Sequence, residues 1–226
     1  MGEDPKALNP KIDPLFSNIN IQPLVSGDQN YEIDSELDLY VLEKLLEKRC
    51  ITKIPCENLG IRLVAADVDG VMTDGGMYYD NQGNEFKKFN TSDSAGVLFC
   101  QLSNINVGII TGENSHAVKR RAEKLKIEHC FLGIKDKVKV AEELIKSLNI
   151  SWEEVAYIGD DINDIQLLNK VGLSACPINA QDYIKRLVDW VIPTRGGDGA
   201  FRHFVEKYLE GEELLDKVVE KYLKSK

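Results

Sequence analysis

The sequence predicts a doubly wound α/β fold: a parallel sheet with helices packed on both faces. Two observations point there. From Ile61 onward, short and nearly continuous apolar segments alternate with amphipathic stretches of helical period, and strands buried on both faces read in that way. The strongest of these segments end on carboxylates or a small hydroxyl, where a doubly wound sheet places its ligand crevice. At 226 residues the chain is long enough for one such domain with a sizeable core and some additional structure.

Residues 1 to about 30 are rich in Pro and Asn with little periodicity, and read as a loop or arm. "IDSELDLYVLEKLLEKR", 33–49, follows as a helix of about four turns: Ser35 and Asp38 have capping-box spacing, with Leu37, Val41 and Leu45 four apart behind them. "CITKIPCENLG" links it to the first strand, "IRLVAAD" (61–67). "GGMYYDNQGNEFKKFN" (75–90) has β-formers on either side of Asn81-Gln82-Gly83-Asn84 and predicts a projecting β-hairpin. Helices are expected at about 94–103, 114–126, 136–148, 162–170 and 180–187. Between them lie the strands "NVGIITG" (106–112) and "EVAYIGDD" (154–161), and the weaker candidates "EHCFLG", "GLSAC" and "DWVIP". The tail, 211–226, carries Leu214, Leu215, Val218, Val219 and Tyr222 on one side and reads as a packing helix.

The formal charge of -9 argues against non-specific nucleic-acid binding and requires local positive charge wherever an anionic substrate is held. No apolar run reaches membrane-spanning length, and "MGEDPKALNP" lacks the positive-then-apolar pattern of a signal peptide. The five cysteines are scattered without CxxC spacing, as suits reduced thiols in a cytoplasm. The expectation is a cytoplasmic protein with neither nucleic acid nor membrane as partner.

"VAADVDGVMTDG", 64–75, ends the first strand on Asp67 and Asp69; the third ends on Asp160 and Asp161, with Asp164 one turn on. In a parallel sheet these ends are neighbours. Unpaired, the carboxylates repel and raise one another's pKa values. A hard divalent cation removes the conflict, and Mg²⁺ suits a few carboxylates with water and a phosphate. Asp74 reads instead as the cap of the turn into the hairpin. The second strand ends in "IITGEN", where Thr111 and free backbone N–H groups suit a phosphate oxygen, and Lys137 opens a helix on the same side. Carboxylates, a metal, a hydroxyl and a lysine make a phosphoryl-transfer site. Spacing alone does not say which aspartate attacks. His116, His129 and His203 have no partner spacing and read as structural or surface residues.

"DVDGVMTDG", "IITGE", "KDK" and "GDDIND", in that order, resemble the four motifs of the haloacid dehalogenase superfamily over residues 58–210. The closest resemblance is to its small sugar-phosphate phosphatases, acting on 3-deoxy-octulosonate 8-phosphate or on nine-carbon, sialic-acid-like 9-phosphates. The resemblance implies Asp67 as the nucleophile that forms an aspartyl-phosphate and Asp69 as the general acid, then base. It implies Thr111 and Lys137 as holders of the phosphoryl oxygens, and Asp160 as a Mg²⁺ ligand with Asp67 and the backbone carbonyl of Asp69. Asp161 and Asp164 would orient those ligands. It implies no cap domain, and a homotetramer whose hairpins form a ring, with a neighbouring subunit closing the site. "RGGDGAFRHF" is similar to a C-terminal segment that reaches towards a neighbour's site; a plain turn before a helix reads equally well.

Gly112 and Glu113 complete "TGE". Glu113, Arg121 and Lys124 match the set specific to the nine-carbon class, where the two cations would bind the sugar carboxylate. Residues 31–48 are similar to the end of acylneuraminate cytidylyltransferases, a resemblance that implies either the C-terminal part of a bifunctional protein or a descendant with a remnant. The expected organisation is therefore a cytidylyltransferase-tail-like segment (1–57), a phosphatase domain (58–210) and a C-terminal helix (211–226). The expected activity is Mg²⁺-dependent hydrolysis of a nine-carbon keto-sugar acid 9-phosphate. The alternatives are the octulosonate 8-phosphate and a non-catalytic tetramerisation domain of a cytidylyltransferase.

Overall fold

The computed structural model describes residues 59–224. The segment expected over 1–57, with its helix and its cytidylyltransferase-like stretch, lies outside the described residues.

β1 (Leu63–Ala66) is buried at all four positions, as its unbroken apolar run requires. After it come β2 (Tyr78–Tyr79), β3 (Glu85–Phe86), α1 (Asp93–Leu102), β4 (Asn106–Ile110), α2 (His116–Leu125), β5 (His129–Phe131) and α3 (Lys137–Leu148). The second half continues with β6 (Val155–Ile158), α4 (Ile165–Leu168), β7 (Leu173–Pro177), α5 (Asp182–Lys185), β8 (Trp190–Ile192), α6 (Ala200–Gly211) and α7 (Leu215–Lys224).

Six strands form one parallel sheet in the order β5-β4-β1-β6-β7-β8. The chain runs outward from β1 to β5, returns to the other side of β1 with β6, and runs outward again to β8. The order reverses beside β1, the position at which such sheets open a crevice. Strand alternation divides the core: Val64 and Ala66 face a layer containing Val97, Phe201, Phe204 and Val218, while Ala65 packs with Ala141, Leu167 and Ile184. The buried residues Phe201, Phe204, Val205, Tyr208 and Leu209 recur at three and four, which seats α6 on the first face.

Several elements are shorter than their sequence patterns. The helix expected over 162–170 is a 3₁₀ turn, Ile162–Asp164, continued by α4. It stops before Gly172, where a Cβ would lie 2.1 Å from the Glu153 carbonyl oxygen. The helix expected over 180–187 is α5. The hairpin ladder holds two residues per strand, because Asp80 winds the tip by accepting the backbone N–H groups of Gln82 and Asn84, each at 2.8 Å. The helix expected over 211–226 is α7, shorter than its pattern: Val218 is buried and Lys221 Nζ donates to the Leu102 carbonyl at 2.6 Å, but Val219, expected on the packing side, is exposed.

The glycines of "RGGDG" lie against the loop after β1 in the same chain. A Cβ on Gly196 would stand 1.7 Å from the Gly70 carbonyl oxygen, and one on Gly197 2.5 Å from the Asp74 nitrogen. Gly197 N–H donates to the Val71 carbonyl at 3.1 Å, and Gly196 N–H to Asn179 Oδ1 at 2.7 Å. The segment is a clamp on its own chain's site loop.

Candidate active site

Asp67 extends β1 by one ladder bond, its N–H donating to the Ile158 carbonyl at 3.0 Å, and its side chain is buried. The chain then turns tightly, with the N–H groups of Val71, Met72 and Thr73 all donating to the Val68 carbonyl. Gly70 has φ +83°, and a Cβ there would stand 1.9 Å from Asp160 Oδ2, so only glycine lets this loop close on Asp160.

Asp164 is the hub. Fully buried, it accepts from Lys137 Nζ at 2.7 Å and the Tyr157 hydroxyl at 2.6 Å on one oxygen. Its other oxygen accepts the backbone N–H groups of Asp160 at 3.0 Å and Asp161 at 3.2 Å. Lys137, also buried, reaches Asp67 Oδ1 at 2.9 Å. Burial works against the Lys137 charge, but Asp67 and Asp164 outweigh it and raise its pKa. Burial drives Asp67 up to about 6, with Lys137 opposing and Asp164 adding. Asp160 goes to about 8, by burial first and then by the charges of Asp67, Asp164 and Asp161.

Oxygens of Asp67, Asp160 and Asp164 lie within 4.8 Å of one another. Asp164 already accepts four hydrogen bonds, the full capacity of a carboxylate, so it holds its neighbours in place and has none left for an ion. Asp160 Oδ1 and Asp69 Oδ2 are buried without a hydrogen bond, and Asp67 Oδ1 has only the Lys137 ammonium beside it. Orphaned, hard oxygen donors of this kind fit a small divalent cation.

The other expected residues divide. Asp67, Asp69, Thr111, Gly112, Glu113, Asp160 and Asp161 line one cleft of about 440 Å³. Thr111 is buried, and its hydroxyl accepts the Glu113 N–H at 3.3 Å. Asp161 caps the 3₁₀ turn through Ile162 N–H at 2.7 Å and accepts the Tyr183 hydroxyl at 3.0 Å. Asp74 caps the hairpin turn as expected, accepting Gly76 N–H at 3.0 Å. Arg121 and Lys124 do not line the cleft of their own chain. Arg121 donates to the Asn90 carbonyl at 2.9 Å and to Ser94 Oγ at 3.2 Å, tying α2 to the first turn of α1 and the segment before it, while Lys124 is exposed.

Two residues were missed by sequence reasoning. Asn163 lines the cleft from within "GDDIND". Lys87, on the hairpin, has a side chain only 1% exposed, and its Nζ lies 2.6 Å from Asp69 Oδ1 and 3.4 Å from Glu85 Oε1. Strand alternation was the available signal, since Glu85 and Lys87 share a face opposite Phe86.

Fold and cleft define the class: a phosphoryl-transfer hydrolase on a doubly wound sheet, with only a hairpin between β1 and α1 where a cap would stand. The haloacid dehalogenase-like hydrolase family model matches residues 133–203. The 3-deoxy-D-manno-octulosonate 8-phosphate phosphatase KdsC of Yersinia pestis is 39% identical over 156 residues, 69% of this chain and 83% of that protein. The crystal structure of the Moraxella catarrhalis 3-deoxy-D-manno-octulosonate 8-phosphate phosphatase, in complex with magnesium ion, phosphate ion and a KDO molecule, superposes with a TM-score of 0.70. It is 34% identical and covers 72% of this chain and 94% of its own. The cobalt-bound Haemophilus influenzae phosphatase gives 0.70 at 32% identity, covering 75% and 99%. The chain belongs to the KdsC-like sugar-phosphate phosphatases of the haloacid dehalogenase superfamily. These relatives carry the octulosonate name, so they favour the eight-carbon alternative over the nine-carbon activity expected from the sequence.

Proposed function

We propose that this chain hydrolyses the terminal phosphate ester of 3-deoxy-octulosonate 8-phosphate, through a covalent intermediate on Asp67. The observation that carries the chemistry is the buried Asp67 beside the half-buried Asp160, with their orphaned oxygens, next to the buried Lys137. An Asp67 oxygen attacks phosphorus as the bond to the sugar oxygen breaks. Asp69 gives that oxygen its proton, and then takes one from the water that attacks the aspartyl-phosphate. Lys137 and Thr111 hold the phosphoryl oxygens, and Lys137 supplies the local positive charge that an anionic substrate requires on a chain of net charge -9. Asp67, Asp160 and the backbone carbonyl of Asp69 would hold Mg²⁺, which neutralises charge on the phosphoryl group when bound.

A second reading, a nine-carbon 9-phosphate, is favoured by Glu113, an exposed carboxylate on the cleft wall where the sugar chain would leave. In this reading Arg121 and Lys124 serve the site of a neighbouring subunit in a homotetramer. Phosphate release from both sugars, with Mg²⁺ and then with excess EDTA, tests the proposal. Turnover should vanish in EDTA and in Asp67→Asn. Activity that survives either change overturns the mechanism, and complete inactivity of the native protein favours the assembly-domain reading. A kcat/KM at least about tenfold higher for the nine-carbon substrate, about 1.4 kcal/mol, would promote the second reading.

A further inference from the structure

Asp69 is held from one side only. Its Oδ1 receives Lys87 Nζ at 2.6 Å and the Thr73 hydroxyl at 3.2 Å, while Oδ2 is buried with no donor. Thr73 belongs to the same loop as Asp69, but Lys87 comes from the far strand of the hairpin, beyond β3. A carboxylate on a short side chain has few rotamers, and two donors on one oxygen from different segments select one of them. Rotation away would leave the Lys87 ammonium in its buried position with only the longer Glu85 contact, and a buried charge left without its partner is strongly destabilising. The alternative rotamers of Asp69 are thereby disfavoured.

We propose that Lys87 is a positioning residue for Asp69, engaging Oδ1 so that Oδ2 stays directed at the leaving oxygen of the substrate. The inference rests on the reading of Asp69 as general acid. In that step the proton moves from Oδ2 to the sugar oxygen as the P–O bond breaks and the new bond to Asp67 forms. Lys87 gains and loses no proton, and its bond to Oδ1 persists. The hairpin, which otherwise presents Tyr78, Tyr79 and Phe86 to the exterior, thus acts on the chemistry through Asp69 from its inner face.

The test uses leaving groups. An alkyl alcohol needs a proton as it departs, whereas p-nitrophenolate departs without one, and kcat/KM reports the steps through that departure. The full chain, Asp69→Asn, Lys87→Met and Lys87→Arg are assayed on a sugar phosphate and on p-nitrophenyl phosphate. Asp69→Asn should lose far more on the sugar phosphate. Lys87→Met should show the same bias, its loss on the sugar phosphate exceeding that on p-nitrophenyl phosphate by about tenfold or more, below the roughly 10²–10⁴-fold of a whole acid–base group. Lys87→Arg, which keeps the charge, should recover part of the bias. Equal losses on both substrates in Lys87→Met, with the bias intact in Asp69→Asn, would show that Lys87 only supports the fold and would overturn the proposal. Absence of the bias in Asp69→Asn would overturn the acid assignment itself, and the proposal with it. Circular dichroism checks folding; if Lys87→Met is unfolded, Lys87→Gln carries the same comparison.

Discussion

Replacing Asp164 with alanine should reduce stability and Mg²⁺ affinity together, because one carboxylate serves both. The substitution removes the acceptor of four hydrogen bonds of 2.6–3.2 Å. Lys137 keeps Asp67 at 2.9 Å, so its charge is not wholly stranded. The Tyr157 hydroxyl and the N–H groups of Asp160 and Asp161 lose their acceptor, with Tyr157 fully buried. Removing one partner of a buried ion pair costs about 3–5 kcal/mol, and for a domain of this size that lowers Tm by roughly 10 °C. Asp164→Asn should lose less: one amide oxygen still serves Lys137 and Tyr157, but the NH₂ group meets two backbone donors. Calorimetric melts give the stabilities and isothermal titration with Mg²⁺ the affinities. An Asp164→Ala protein within about 1 kcal/mol of the parent, with unchanged Mg²⁺ affinity, would refute the account of Asp164 as the hub.

With no divalent cation, Asp67 at about 6 and Asp160 at about 8 both lie above the ordinary 3.8. The folded state then binds more protons than the unfolded state, so stability should fall as pH rises from about 4 to about 8. Mg²⁺ needs the charged carboxylates, so the rise in Tm it produces should be larger near pH 8 than near pH 6, and an equal rise would contradict the site. Gly70→Ala places a Cβ 1.9 Å from Asp160 Oδ2 and should lower kcat by on the order of 10²-fold, as a misplacement of about 1 Å does, while a melt still shows a folded protein. Light scattering should give four times the 25.4 kDa chain mass, and Tyr79→Glu, at an exposed position of the hairpin, should shift it downward. A fully active monomer would rule out a shared site.

β1 was legible because "LVAA" has no polar residue to place it at a surface, and Asp67 and Asp160 were legible because they follow such runs directly. Asp164 was visible as a motif residue, but not as the acceptor of four donors, since two of those are backbone groups fixed only by the turn. Arg121 and Lys124, three apart on one helix, invited a ligand reading that spacing cannot distinguish from a tertiary one; Arg121 uses its guanidinium on the Asn90 carbonyl. Lys87 lay in a lysine pair on a hairpin that reads as surface, and its burial arises only when the hairpin folds back over the loop of Asp69. The short ladder escaped prediction because Asp80 satisfies N–H groups that an extended strand would have paired.

The clamp of Gly196 and Gly197 on the loop after β1 gives synthesis a direction. Val71 receives its hydrogen bond from Gly197, and the Gly70 carbonyl is covered by Gly196. A chain emerging from the ribosome presents "DVDG" long before "RGGDG", and domains settle as their contacts become available. The sheet around β1 can assemble while the reactive loop still lacks its cover. The loop gains its cover only once Arg195–Gly199 has been released, and a message cut short before that point lacks α6 as well, the helix that buries one face of the sheet.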